Sequence, residues 1–265
     1  MRAGINVWTW GINSREQFEQ GVKEVSDIGY RAVENIASIV TLYEDSPDDF
    51  DALLSRYGVD FVCGYFHLSG DFEKDYAHAE RYLRFLQGRG PKVMNLQAGA
   101  RAKEGVTEPV LARTAEQAAR LGELGNRYGI RFCLHPHYAT NVERQNELDY
   151  VMAQVPESVL GLTIDTAHAV LGGMDPVQLA RQYGPRVGYM HVKDVQPLAP
   201  EGTPWYDTFR ELGRGVINFV AVAEELKQAG YEGVLCVELD RPRVSGYKSA
   251  AISYAYLKDE LASYW

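Results

Sequence analysis

Two kinds of apolar stretch alternate along this chain. Short runs that are apolar through their interior alternate with longer segments in which apolar residues return every three or four positions. The short runs cover residues 3–8, 31–34, 60–64, 92–97, 130–135, 160–165, 187–192 and 233–239. Several lack the in–out alternation of a half-exposed strand. That predicts strands covered on both faces, as in a parallel sheet.

The longer segments read as amphipathic helices with recognisable starts. Ser14 is placed to cap the first, with Gln17 completing a capping box, and Phe18, Val22 and Val25 then share one face. Ser46 and Pro47 open the second, whose stripe is Phe50, Leu53, Leu54 and Tyr57. Further helices are predicted over 72–87, 109–128 and 144–154, in a short segment opened by Asp175 and Pro176, and over 217–228 and 247–264. Gly29, Gly58, Gly90, Gly129 and Gly230 each stand between a helix and the next strand, where a left-handed residue ends the helix. Repeated units of this kind are right-handed βα crossovers. Eight of them predict an α/β fold, a closed (β/α)8 TIM barrel. An open doubly wound sheet fits less well, because no GxGxxG or P-loop pattern follows a strand. No linker or low-complexity tract interrupts the series, so residues 1–265 are expected to form one domain.

Charge and composition narrow the partners. A formal net charge of −9 argues against nucleic acid and anionic membranes. The first residues lack the regions of a signal peptide, and no apolar run is long enough to span a bilayer. Cys63, Cys133 and Cys236 all sit in apolar, strand-like stretches without metal-finger spacing. Buried thiols in a reducing compartment are expected, hence a cytoplasmic protein. Cys133 shares parity with His135 but lies deeper, which disfavours a thiol nucleophile. No motif fixes an oligomeric state, and a homo-oligomer stays open.

The chemistry collects where strands end, and in a barrel the C-terminal strand ends form the active face. Four segments run apolar residues straight into polar groups: Phe132 to Glu143, Gly161 to His168, Gly188 to Asp194 and Gly233 to Asp240. They supply Glu143, Asp165, His191 and Glu238. Among the six histidines only His78 falls in a helix; His67, His135, His137, His168 and His191 fall at or just past strand ends. A carboxylate such as Glu238 at the end of Val-Leu-Cys-Val is costly unless paired or metal-bound. A salt bridge to Arg241 or Lys193 is the alternative. Asp165 would otherwise cap the next turn, and His168 stands between a structural hydrogen bond and a substrate contact. Glu143 lies in a loop, where a solvated or helix-capping role competes. One imidazole and three carboxylates form a hard, mixed site suited to Mn²⁺, with Mg²⁺ or Co²⁺ as alternatives. Without a cation those carboxylates would repel one another or share a proton.

Other polar groups are candidates for substrate. Lys193 shares a strand face with His191 and is placed to stabilise an oxyanion. Glu34 and Gln97 end strands two and four and could bind hydroxyls. The loop 196–215 carries Pro197, Pro200, Pro204, Trp205, Tyr206, Phe209 and Arg210, a composition suited to a lid or specificity element. No arginine or glycine nest marks a phosphate site, so an unphosphorylated substrate is expected.

This ordered series resembles the sugar phosphate isomerase/epimerase superfamily, the xylose-isomerase-like TIM barrels, and within it the inosose dehydratase branch. The resemblance rests on His135-Pro136-His137 with Ala139-Thr140 and Glu143, then Asp165-x-x-His168, His191-x-Lys193-Asp194, Leu212-Gly213-x-Gly215 with Phe219, and Glu238-x-Asp240. It covers nearly the whole chain. It implies a divalent metal held by Glu143, Asp165, His191 and Glu238. Many relatives carry the first glutamate at the end of strand five itself, where this chain has Cys133 to His137, so His135 is the alternative first ligand. The Asp that usually precedes the Phe of the Gly-x-Gly segment is Asn218 here, which can cap a helix equally well.

The resemblance and the residues together imply proton transfer next to the carbonyl of a sugar or cyclitol. Glu143 and Glu238 would move the proton, and Lys193 and His168 would steady the negative charge. His67, His135, His137, Glu34, Gln97 and Trp205 are the expected substrate contacts. Isomerisation or epimerisation is the first expectation. Dehydration of an inosose (2-keto-myo-inositol) type of substrate is the second, and a non-catalytic sugar-binding barrel the third. Phosphodiester cleavage, as in DNA-repair relatives of the barrel, is disfavoured by the acidic balance.

Overall fold

In the computed structural model, which describes residues 1–196, 202–242 and 244–264, eight parallel strands close into a barrel. They are β1 (Arg2–Asn6), β2 (Ala32–Ile36), β3 (Asp60–His67), β4 (Val93–Gln97), β5 (Arg131–His135), β6 (Gly161–Asp165), β7 (Val187–Val192) and, last in the chain, β10 (Val234–Val237). β10 pairs with both β7 and β1, which closes the ring. The remaining pair, β8 (Asp194–Val195) and β9 (Phe209–Arg210), forms a small antiparallel ribbon above the mouth. The (β/α)8 prediction is therefore met.

Helices α1 (Arg15–Ile28), α2 (Pro47–Tyr57), α3 (Phe72–Leu86), α4 (Glu108–Tyr128), α5 (Gln145–Gln154), α8 (Phe219–Gln228) and α9 (Gly246–Glu260) follow the expected order. The short sixth segment is α7 (Pro176–Tyr183), capped by Asp175 as expected, and an unpredicted α6 (Thr166–Leu171) precedes it, because the Asp165 side chain caps a turn of its own directly after β6. Gly58 and Gly129 end α2 and α4 in the left-handed conformation, at φ +60° and +69°. Two start signals work differently from expectation. Ser14 accepts from Gln17 N, but the Gln17 side chain accepts from Asn13 N instead of completing the box at Ser14. Ser46 makes no cap and receives Arg15 instead.

The apolar stripes behave as predicted. Phe18, Val22, Val25 and Phe50 are fully buried between helices and barrel. Inside the barrel the period of two sorts residues by height. A lower layer contains Ala32, Cys63, Tyr189, Val234 and Cys236. All three thiols are buried and free, and burial pushes that of Cys133 up to about 12. Two residues further along the strands the inward positions turn polar: Glu34 on β2, His135 on β5, Asp165 on β6, His191 on β7 and Glu238 just past β10. Asp165 is in register with His191, and Cys236 with His191 from the other side. No helix among the described residues is long and apolar enough to cross a membrane.

The loop 196–215 contains a 3-10 turn, Trp205–Thr208, and β9. Pro197 and Pro200, singled out above, lie outside the described residues.

Candidate metal centre

His135, Asp165, His191 and Glu238 converge above the buried apolar layer. Each offers one ligand atom, and those atoms lie within 4.8 Å of one another. His191 Nδ1 is 3.2 Å from Glu238 Oε2 and 3.6 Å from Asp165 Oδ2, and His135 Nε2 is 3.5 Å from the same Asp165 oxygen. Asp165 divides its work. Its Oδ1 accepts from Ala167 N and His168 N, both at 2.9 Å, so the expected capping role is real. Its Oδ2 is buried and has no hydrogen-bond partner. A buried carboxylate oxygen without a close hydrogen bond is costly, and this one faces two imidazoles, a second carboxylate and, at 3.4 Å, the Lys193 ammonium. The donor set therefore fits a divalent cation.

The structure does not bring Glu143 to this cluster. Its carboxylate accepts from Ala139 N at 2.8 Å and lies 3.7 Å from Arg144 Nε. It is held in the 137–143 loop, where Ala139 has a φ of +65°. Seven residues, 136–142, separate His135, the end of β5, from Glu143, so the strand delivers an imidazole to the site and the loop keeps the carboxylate. The donor set thus has two imidazoles and two carboxylates, where one imidazole and three carboxylates were expected.

The tautomer of His135 follows from its neighbours. The Tyr65 hydroxyl donates to Gln97 Oε1 at 2.6 Å and lies 3.3 Å from His135 Nδ1. With its hydrogen spent on Gln97, the phenol oxygen accepts from Nδ1–H. His135 Nε2 is then the lone-pair nitrogen, and it faces Asp165 and His191.

Lys193 is buried at 1% exposure. Its ammonium lies 2.7 Å from Glu238 Oε2, 3.0 Å from Asp240 Oδ1 and 3.4 Å from Asp165 Oδ2, and 4.7 Å over the Phe209 ring. Burial alone would strip its proton, but Asp165, Asp240 and Glu238 outweigh burial and hold it well above the ordinary lysine range. Burial likewise opposes a charge on His191, and Glu238 and Glu34 reverse that, holding the imidazole well above its ordinary value. Burial pushes Asp240 up to about 6. For His137, burial brings the imidazole down to about 3. His137 Nδ1 lies 2.7 Å from Tyr138 O, which can only accept, so Nδ1 donates and Nε2 carries the lone pair.

A pocket of about 560 Å³ opens over the cluster. The predicted contacts His67, Gln97, His137 and Trp205 line it, with Trp8 and Tyr65 as apolar walls. Glu238 and Asp240 bring carboxylates to it. Glu34, His135, His168 and Lys193 do not line it. His168, well below its ordinary range through burial and then through His137, lies behind His137 at a ring-centroid distance of 3.6 Å. Trp205 covers both rings at 5.6 Å. Glu34, expected as a substrate contact, is fully buried and 2.9 Å from His191 Nε2, too deep for that role.

Asn6, Asn95 and Thr163 were not singled out from the sequence, yet they fill the space around Glu34. Their signal was a polar residue at an inward position of an otherwise apolar strand. Asp194, fully buried, accepts from Gly215 N, Ile217 N and Val195 N, and so fastens the Gly-x-Gly segment to the end of β7.

Residues 22–259 match the model of the family described as xylose isomerase-like TIM barrel. The chain belongs to that family. Among its relatives, the inosose dehydratase of Klebsiella pneumoniae subsp. pneumoniae is 28% identical over 258 residues, covering 87% of this chain and 85% of the relative. Two solved structures share the fold. The IOLI protein with a binding zinc atom has a TM-score of 0.81 at 18% identity, over 100% of this chain and 99% of that one. D-psicose 3-epimerase from Clostridium cellulolyticum H10, solved with D-tagatose, has a TM-score of 0.79 at 17% identity, over 99% of each chain. The family expectation is met.

Proposed function

We propose that this xylose isomerase-like barrel is a divalent-metal-dependent lyase that removes water from an unphosphorylated keto-cyclitol or closely related keto-sugar. The observation that carries the metal is the convergence of His135, Asp165, His191 and Glu238, one ligand atom from each within 4.8 Å of the others, with Asp165 Oδ2 buried and short of a close hydrogen bond. Those four residues would hold the cation. Bound there, it would polarise the substrate carbonyl and make the neighbouring C–H acidic. Two imidazoles beside two carboxylates favour the borderline ions Zn²⁺, Co²⁺ and Mn²⁺ over Mg²⁺.

Dehydration moves ahead of epimerisation because of what β5 delivers. Reprotonation on the opposite face is most simply served by two carboxylates flanking the carbon. Here the second carboxylate, Glu143, is held in its loop. Three groups reach the pocket: Glu238, a proposed metal ligand, Asp240 beside Lys193, and His137 with its Nε2 lone pair. Such a set suits taking a proton from one carbon and giving one to a departing hydroxyl on the next. Asp240, which burial brings to about 6, is assigned the abstraction and the return of that proton to the leaving hydroxyl, and His137 is assigned a hydrogen bond to the substrate through the Nε2 lone pair. Lys193 holds positive potential behind the site and favours the enolate, with the neutral imidazole of His168 beside it at 3.4 Å. Trp205 and Trp8 exclude water. The naming of the Klebsiella relative as inosose dehydratase supports the same choice.

The test is incubation of the metal-loaded protein with 2-keto-myo-inositol in deuterated water, followed by mass spectrometry and NMR. Loss of one water with formation of a conjugated enone is expected. Deuterium uptake without water loss would return the assignment to an epimerase.

A further inference from the structure

Beneath the metal-facing groups, three donors converge on one carboxylate. Asn6 Nδ2 and Asn95 Nδ2 each lie 3.2 Å from Glu34 Oε1, and His191 Nε2 lies 2.9 Å from Oε2 and 3.1 Å from Oε1. The orientation of both amides is fixed by other contacts. Asn6 Oδ1 accepts from Trp8 N at 3.1 Å, and Asn95 Oδ1 accepts from the Thr163 hydroxyl at 2.5 Å. Both Nδ2 groups are therefore donors. Asn95 Nδ2 is also 3.3 Å from His191 Nε2, but two donors cannot satisfy each other, so the hydrogen on Nε2 goes to Glu34. Glu34 is fully buried, and its oxygens face no solvent.

We infer that Glu34 is a positioning residue: it fixes His191 with hydrogen on Nε2 and the lone pair of Nδ1 aimed at the cation, and through Asn6 it also aims Glu238. Asn6 Nδ2 spans both carboxylates, lying 3.1 Å from Glu238 Oε1 as well as 3.2 Å from Glu34 Oε1. Two of the four proposed ligands, from β7 and from the end of β10, thus take their orientation from one side chain on β2. A carboxylate behind a ligating imidazole fixes the ring and raises its basicity. Only a carboxylate does this here. A glutamine at position 34 would turn its NH₂ toward either the Asn6 and Asn95 donors or Nε2–H, leaving two donors opposed in a sealed space.

Glu34, His191 and Cys236 also lie within 4.8 Å of one another. They do not form a second ion site, because the Glu34 oxygens are already engaged by three donors and the Cys236 thiol is turned toward Val237 O at 3.8 Å.

This inference rests on the metal assignment proposed above, and its test separates the two. Cobalt(II) titration followed by visible absorption gives the affinity and the ligand-field band. ¹⁵N-histidine NMR of the zinc-loaded protein reads which His191 nitrogen carries hydrogen. Glu34→Gln should weaken cobalt binding roughly 10- to 100-fold and shift the band, and the wild type should show His191 with Nε2–H and Nδ1 on zinc. Cobalt affinity within about twofold of wild type in a folded Glu34→Gln protein, or a His191 bound through Nε2, overturns the inference. Should Glu34→Gln fail to fold, the wild-type tautomer decides alone. Should the wild type bind neither ion, the metal assignment falls. The Glu34 contact is then read from the Nε2–H proton of the ion-free protein, which supports it if shifted far downfield and refutes it if not.

Discussion

Lys193 Nζ lies 2.7 Å from Glu238 Oε2 and 3.4 Å from Asp165 Oδ2, so the ammonium occupies ground next to the oxygens proposed to hold a cation. The two charges compete. Without an ion, Lys193 and the protonated His191 balance the buried carboxylates; with one, Lys193 repels it.

Lys193→Met should therefore act in opposite directions on two quantities. Removing one partner from buried ion pairs costs about 3–5 kcal/mol, so the ion-free variant should melt well below the wild type. The affinity for Co²⁺ should rise by about tenfold, which adds about 1.4 kcal/mol to the stabilisation at saturating metal. Thermal melts with and without Co²⁺ check both. A metal-induced rise in Tm smaller than that of the wild type would show that Lys193 helps to hold the ion instead.

The two candidates for the first ligand separate cleanly by substitution. His135→Ala removes a nitrogen directed at Asp165 and His191 and should weaken Co²⁺ binding by at least tenfold. Glu143→Gln leaves the donor set intact. It should leave the affinity unchanged and cost about 1 kcal/mol, the worth of the bond to Ala139 N at a residue with positive φ. Calorimetric titration of both variants is the check. A large loss of affinity in Glu143→Gln would mean that the loop closes onto the site when the ion binds.

The barrel was legible because several of its strands are apolar through most of their length and its helices are striped, patterns that depend only on periodicity. Asp165, His191 and Glu238 were legible for a related reason: each ends an apolar run. Glu143 lies outside the cluster because the stretch from His137 to Val142 turns back on itself, with Thr140 N donating to His137 O and His137 N to Val142 O, and spacing along the chain does not record that turn. His135 was written at the strand end all along, but an imidazole there names no role by itself. Glu34 shows the other limit. Its position at a strand end marked it as functional, while its depth, which separates a substrate contact from a support for His191, depends on the stagger between β2 and its neighbours. That stagger includes a register shift between Val33 and Glu34.

The Gly-x-Gly segment offers a test of how the mouth is fastened. A Cβ on Gly215 would come within 2.2 Å of Asp194 Oδ1 and 2.3 Å of Val195 O. The second contact is with backbone and cannot be relieved by a rotamer change. Gly215→Ala should break the bond from Gly215 N to Asp194 and destabilise the protein by about 2 kcal/mol or more. Hydrogen exchange should show the loss of protection first at Gly215 and Ile217, the two amides of the segment that Asp194 accepts. Unchanged protection there would show that the segment is held by other contacts.

Acid should loosen the loop beside the site through Glu147. Arg101 donates to both Glu147 oxygens, at 2.6 and 2.9 Å, and Glu143 N and Arg144 N donate to Oε2 at 2.9 and 3.0 Å. Burial opposes ionisation, but these donors outweigh it and hold the carboxyl below its usual value of 4.5. Because the folded pKa is lower than the unfolded one, the unfolded chain binds more protons in the window between them. The stabilisation is then complete above about 4.5 and lost as pH falls toward and through the folded value. Glu147→Gln lacks the charge at every pH. The stability gap between wild type and Glu147→Gln in urea should be about 2–4 kcal/mol near neutrality and narrow as the pH is lowered below about 4.5. A gap that stays constant across that range would mean that the hydrogen bonds, and not the charge, supply the stabilisation.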